Sequence, residues 1–296
     1  SNVFANEGRL NLDLPADAIR TSVRAELKIY PNLMTHALEG IEGILQRPHG
    51  CGEQTISSTY PNVMALRYLQ QQGESAATAA KAERYIKAGY NRLLSYRAEN
   101  GGFSYWGRGE ADLALTAYAV RFLNDASQFV DVDRDIVAKA LNWLITLQQA
   151  DGSWQQRYYY GGEDARRSAM TTAYIARVLA IERARTEKPN QNSPDKRLEN
   201  SLQRALGFLA KKVEEIDEPY LIASYALAAM DAGERNSAAN AIGKLRRLAR
   251  DEAGTAYWQL ESNTPFYGWG LAGRIETTAL AVKALLADRG KEGRSD

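Results

Sequence analysis

Five stretches of this chain repeat one pattern at a nearly constant interval. They are Val63-Met64-Ala65-Leu66-Arg67-Tyr68-Leu69, Ala117-Tyr118-Ala119-Val120-Arg121-Phe122-Leu123, Ala173-Tyr174-Ile175-Ala176-Arg177-Val178-Leu179, Ser224-Tyr225-Ala226-Leu227-Ala228-Ala229-Met230 and Ala279-Leu280-Ala281-Val282-Lys283-Ala284-Leu285. Their first residues lie 54, 56, 51 and 55 positions apart. An interval of that length holds two helices, so the chain reads as an array of helical hairpins. One helix of each pair is small and apolar nearly all round and is expected to be buried on most sides. Its partner, as over 76–98 or 195–215, is charged on one face and is expected to lie outside. Closing about six hairpins into a ring removes the ends that an open solenoid must cap. The fold class expected is therefore all-α, an α/α toroid.

Helices are expected at 33–46, 54–72, 76–98, 110–126, 133–149, 168–185, 195–215, 218–232, 234–249 and 274–289. Gly73 and Gly233 stand where helix stops favour glycine. Three glycine-aromatic loops precede inner helices: Gly101-Gly102-Phe103-Ser104-Tyr105-Trp106, Asp151-Gly152-Ser153-Trp154 and Tyr267-Gly268-Trp269-Gly270. Their expected role is as aromatic plugs between neighbouring hairpins; a base- or sugar-stacking platform is the functional alternative. Before residue 31 the pattern changes. Residues 9–15 and 22–30 alternate polar and apolar, as strands do. Two short strands do not make a domain, so residues 1–31 are expected to be the edge of a β-domain, 32–290 the helical domain and 291–296 a polar tail.

The net charge of +1 gives no field that would draw nucleic acid or an anionic membrane. No apolar run has transmembrane length. Residues 1–20 lack the apolar core of a signal peptide, so the chain is expected to be mature or part of something longer. One cysteine excludes an internal disulfide. Two histidines and that cysteine make a zinc site a poor fit; no metal and no cofactor are expected.

The cysteine lies in His49-Gly50-Cys51-Gly52-Glu53-Gln54. A thiolate is a strong nucleophile. Attack of the Cys51 sulfur on the side-chain amide carbon of Gln54, with loss of ammonia, closes a thioester across Gly52 and Glu53. Gly52 would allow a tight backbone turn. A passing amine or hydroxyl would then take the acyl group of residue 54 and restore the thiol. An ordinary buried thiol is the alternative reading of Cys51.

The pentapeptide Gly50-Cys51-Gly52-Glu53-Gln54, followed by Pro61-Asn62-Val63, resembles the thioester family of alpha-2-macroglobulins, complement components and their bacterial relatives. Lys81-Ala82-Glu83-Arg84-Tyr85-Ile86-Lys87-Ala88-Gly89-Tyr90, Leu115-Thr116-Ala117-Tyr118 and Glu276-Thr277-Thr278-Ala279-Leu280 resemble that family's other helix motifs. The resemblance covers nearly all of 31–289. It implies a complement-thioester-domain-like toroid inserted in a CUB-type β-sandwich, which accounts for the two strands. It also implies covalent capture. In a longer, alpha-2-macroglobulin-like broad-spectrum protease inhibitor, cleavage of a bait region exposes the Cys51–Gln54 thioester. Lysine amines of the target protease are then acylated, in a single turnover rather than a catalytic cycle. Partners implied are proteases and the other domains of the same chain. The absence of disulfides and of Asn-x-Ser/Thr sequons favours a bacterial setting, periplasmic or secreted, with any membrane anchor outside this chain.

One departure from the family bears on chemistry. Hydroxyl-preferring complement relatives carry a histidine in the loop after the Asp-Gly-aromatic element. Here that loop, Gln155 to Ser168, holds Tyr158-Tyr159-Tyr160 and no histidine, so direct reaction with amines is expected. The three tyrosines are candidates for shielding the bond from water. His49 is a candidate for tuning Cys51, and His36 is read as structural. Glu53 is read as supporting a helix N-terminus beside Gly50 and Gly52. The rivals are opsonin-like surface tagging, a non-covalent scaffold, and a terpene-cyclase-like enzyme. The last draws on the Lys139–Trp154 region and on Asp131-Val132-Asp133-Arg134-Asp135, which reads better as a loop and helix start.

Overall fold

The computed structural model describes residues 43–72, 76–155, 165–186, 195–252 and 254–292, with isolated positions between 11 and 40. The chain divides into two compact units, Ser1–Gly43 and Ile44–Asp296. In the first, the described positions are mostly exposed and carry no strand. The described positions of the expected strands, 11, 13–15, 23, 24, 26, 28 and 29, form no strand; the rest of those stretches, most of the expected helix over 33–46, and His36 lie outside the described residues.

The second unit is mostly helical. Its elements are α1 Gly52–Gln72, α2 Ala76–Leu94, α3 Leu113–Ala126, α4 Arg134–Thr146, α5 Ala165–Thr186, α6 Lys196–Glu215, α7 Pro219–Ala232, α8 Arg235–Arg247 and α9 Gly270–Glu292. Between α8 and α9 a two-stranded antiparallel ribbon, β1 Arg250–Glu252 and β2 Thr255–Tyr257, interrupts the pattern. Three-residue strands are too short to show period-two alternation, which is why the sequence gives no sign of them.

The odd-numbered helices form a row, α1 against α3, α3 against α5, α5 against α7 and α7 against α9. Each of the first four also packs on its successor in sequence. Burial follows the expected division of labour. In α7 every residue from Pro219 to Met230 is buried, and in α5 every residue from Ala169 to Ala180. The outer α6 buries one stripe, Leu198, Ser201, Leu202, Ala205, Leu206, Leu209 and Val213. Those residues recur at three- and four-residue steps, the spacing that keeps one helix face inward. Asp112, Asp133 and Asp195 cap α3, α4 and α6 through their carboxylates. The acidic stretch at 131–135 is thus a helix start: Asp133 accepts from the Asp135 N–H at 2.9 Å, and Asp135 pairs with Lys139 at 2.7 Å. Gly233 ends α7 in the left-handed conformation, φ +83°.

Two of the three glycine-aromatic loops plug the fold as expected, and the third is corrected. Phe103 and Trp154 are fully buried. Their backbone N–H groups donate to Thr116 and Thr172, each at 2.9 Å. Those threonines immediately precede the repeated segments of α3 and α5. In the last repeat the same place is taken by Trp258, whose N–H donates to Thr278 at 3.1 Å. Tyr267 and Trp269 are half exposed. Trp154 and Trp258 each also send the indole N–H, at 2.7 Å, to a carbonyl in the last turn of the preceding outer helix, Leu144 in α4 and Leu245 in α8. Such carbonyls have few partners inside the helix. The fourth repeat has no aromatic loop between α6 and α7, and the threonine position there is Ala223.

Candidate functional site

Residues 49–54 form the approach to α1 and its first turn. Gly50 sits at φ +73°, and Gly52 begins the helix. The left-handed residue is therefore Gly50, where Gly52 was expected to supply the turn. Gly52 has a different requirement: a Cβ there would stand 3.0 Å from the Ser104 carbonyl oxygen. The backbone N–H of Gly52 donates to Tyr105 O at 2.8 Å, fixing the start of α1 to the loop before α3.

The Gln54 side chain folds back over this turn. Its Oε1 accepts the Cys51 backbone N–H at 3.0 Å. A Cβ on Gly50 would lie 2.0 Å from that oxygen and 2.7 Å from Cδ. Residue 50 must be glycine both for its φ and for the space the amide occupies. Cys51 is buried at 7% exposure, while Gln54 is exposed. The amide that would be attacked is thus carried beside the only thiol, with its carbonyl already polarised by a backbone N–H. A donor in that position stabilises negative charge developing on the oxygen during attack.

Two side chains, one in the last turn of α2 and one just after it, hold the loop. Arg92 Nη2 and Tyr96 Oη, the latter just beyond the helix, both donate to the Gly50 carbonyl at 2.6 Å. Arg92 Nε donates to Thr55 Oγ1 at 3.1 Å, and Thr55 in turn donates to the His49 carbonyl at 3.4 Å. Upstream, Asn62 exchanges two hydrogen bonds with the backbone of Gln46, at 3.2 and 2.9 Å. Pro61, inside α1, lacks the N–H that a helix interior needs. Neighbouring Asn62 also donates to Ser58 O and Thr59 O. Arg92 and Tyr96 escaped sequence reading because they act across 42 and 46 residues and belong to no local motif.

Of the other expected residues, Glu53 lies in the first turn of α1. Burial, and secondarily Asp112, push its carboxyl pKa up. His49 is exposed and contributes its backbone carbonyl. Tyr158, Tyr159 and Tyr160 lie outside the described residues. Tyr105 was read only as part of an aromatic loop; its phenol stands in the field of Asp112, Glu53, Tyr267 and Cys51, and burial and those neighbours push its pKa up. Among the described residues there is no cluster of three His, Cys, Asp or Glu able to hold a metal, and no helix long and apolar enough to cross a membrane.

Residues 24–294 match the A-macroglobulin TED domain family. The chain belongs to that family. The TED domain is 27% identical over 287 residues to thioester-containing protein 1 allele S1 of Anopheles gambiae, covering 92% of this chain and 19% of the mosquito protein. Allele R1 of the same protein is 26% identical over 291 residues. Ovostatin of Gallus gallus is 32% identical over 147 residues, 49% of this chain and 10% of the chicken protein. The chain thus spans about a fifth or less of these relatives. Its thioester-family membership agrees with the arrangement of Cys51 and Gln54.

Proposed function

We propose that Cys51 and Gln54 close an internal thioester, and that this TED domain serves a longer alpha-2-macroglobulin-like protein as a single-turnover covalent trap for proteases. The observation that carries the proposal is the Gln54 carbonyl held on the Cys51 N–H beside a buried thiol. In closure the thiolate adds to Gln54 Cδ, the carbon–nitrogen bond breaks and ammonia leaves. In capture a lysine amine adds to the same carbon, the carbon–sulfur bond breaks, an amide forms and the Cys51 thiol returns. The histidine-free loop at 155–168 supports direct attack by amines over hydroxyls. Side chains from α1, α3, α5, α7 and α9 meet around one cavity, which supports a row of hairpins bent into a ring. Residues 1–31 would then belong to a CUB-type β-sandwich completed by the longer chain, with the toroid over 32–290. A periplasmic or secreted setting belongs to the same proposal.

Intact mass of the full-length protein tests the reading. A mass one ammonia below the sequence value is expected, with Cys51 closed to iodoacetamide. Methylamine should add once and release the thiol; glycerol should add far more slowly. A mass equal to the sequence value with Cys51 freely alkylated would leave a non-covalent scaffold instead.

Gly50→Ala follows from the same geometry. The added Cβ would occupy the place of the Gln54 amide, and a left-handed non-glycine residue itself costs about 1–2 kcal/mol. That strain lowers stability, whereas moving the Gln54 amide away from the thiol raises the closure barrier, and each 1.4 kcal/mol there is a factor of about ten in rate. Closure after refolding is expected to slow at least about tenfold, read as the fraction of chain lacking one ammonia with time.

A further inference from the structure

The cavity at the convergence of the odd-numbered helices has a volume of about 410 Å³. Repetition builds it. The second residue of the repeated segment supplies Tyr118, Tyr174 and Leu280; the fifth supplies Arg121, Arg177 and Lys283. Three cations thus face one space. Covalent capture at residue 54 uses none of them.

Arg177 is the decisive one. Its residue is 6% exposed, and it lines the cavity. Tyr174, Tyr220 and the carboxylates of Asp231 and Glu276 stand close enough to bear on its guanidinium electrostatically, and the Arg121 cation opposes it. A guanidinium in so buried a residue is costly to desolvate, and an anion entering the cavity would offset that cost. Arg121 is held differently, over the Tyr60 ring at 5.6 Å. Lys283 stands on the exposed side of α9. Glu53 and Glu276 also line the cavity. Burial pushes both their pKa values up, and whatever negative charge they keep opposes an incoming anion.

The wall is aromatic and fixed. Phe266 lies between Tyr118 and Tyr174, with ring centroids 5.2 and 5.6 Å away. The loop leading to Phe266 is anchored by buried Glu218, whose Oε2 accepts the N–H groups of Glu261 and Ser262 at 2.8 and 3.0 Å. A volume of this size lies in the range of small-molecule sites, which combine apolar walls with a few convergent polar groups. It exceeds what a bare inorganic anion fills.

We propose that this cavity binds a small organic oxyanion, a carboxylate or phosphate ester on an apolar body, with Arg177 as the main donor and Arg121 and Lys283 completing the charge. Arg is suited to this because its planar fork matches both kinds of oxyanion. The cavity adjoins the thioester turn through Glu53 and Ser57, but its three cations take no part in the thioester chemistry, and it stands whether or not the thioester forms.

Titration calorimetry with phenyl phosphate, phenylacetate, inorganic phosphate and benzyl alcohol tests it. Saturable binding of phenyl phosphate or phenylacetate is expected, at least tenfold weaker in Arg177→Met and weaker again as salt rises. Stronger binding of one of these two probes identifies the oxyanion class. Inorganic phosphate is expected to bind more weakly than phenyl phosphate. The free Arg177→Met protein should melt close to the parent, since a buried charge set against the Arg121 cation has been removed. Should that variant not fold, Lys283→Met at the exposed side must weaken binding in the same way. Three results would overturn the proposal: no saturable binding of either aromatic anion at millimolar concentration, equal binding of benzyl alcohol, or binding unchanged by the substitutions.

Discussion

Cys51→Ala is expected to abolish every covalent adduct at residue 54 while leaving the fold in place. Without the sulfur no acyl intermediate forms, and an unactivated glutamine amide does not react with methylamine under mild conditions. The loss should be complete by intact mass, where Gly50→Ala only slows closure. The stability cost should be about 1 kcal/mol, since one buried atom is removed and no hydrogen bond in the site passes through it. Thermal unfolding run beside the mass measurement separates the two effects. A variant that still gained methylamine at residue 54 would place the activating group elsewhere.

Trp154→Ala carries the largest expected structural effect, about 3–5 kcal/mol. The side chain is fully buried, and its indole N–H serves the Leu144 carbonyl. Trp154→Phe separates the two contributions. It keeps most of the apolar contact and removes only the indole hydrogen bond, since the Leu144 carbonyl still accepts the Leu147 N–H at 3.2 Å; the cost should be about 0.5–1.5 kcal/mol. Trp106→Ala is the control: that ring is 71% exposed, and the change should stay within about 0.5 kcal/mol. Denaturant unfolding midpoints at constant slope give all three values.

The helices were legible because each inner segment is apolar on nearly every face and each outer one on a single stripe. That contrast survives in the sequence without any knowledge of neighbours, and the expected spans agree with α1 through α9 to within a few residues. The thiol and the amide were legible because their chemistry is set by a local spacing. What was not legible depends on distant partners. Arg92 and Tyr96 look like ordinary residues of a charged outer helix until the Gly50 carbonyl is seen between them. Tyr267 and Trp269 imitate the composition of the other aromatic loops, yet Trp258 occupies the plug. The threonine preceding the repeated segments of α3, α5 and α9 was the signal that could have separated them. Thr278 lies at the register of Thr116 and Thr172, and Trp258 stands 20 residues before it, close to the 18 that separate Trp154 from Thr172.

That threonine has a bearing on how such a chain can change. From the anchored aromatic to its hydroxyl the backbone runs 13 residues in one repeat, 18 in the next and 20 in the last. Both ends of each excursion are pinned to the same rungs whatever its length. The second and last of these segments are therefore free to differ in length without moving the helices, whereas the first is held by the Tyr105 carbonyl on the Gly52 N–H beside Cys51. The fourth repeat, with Ala223 in place of the threonine and no aromatic loop before α7, is a socket left without a fitting.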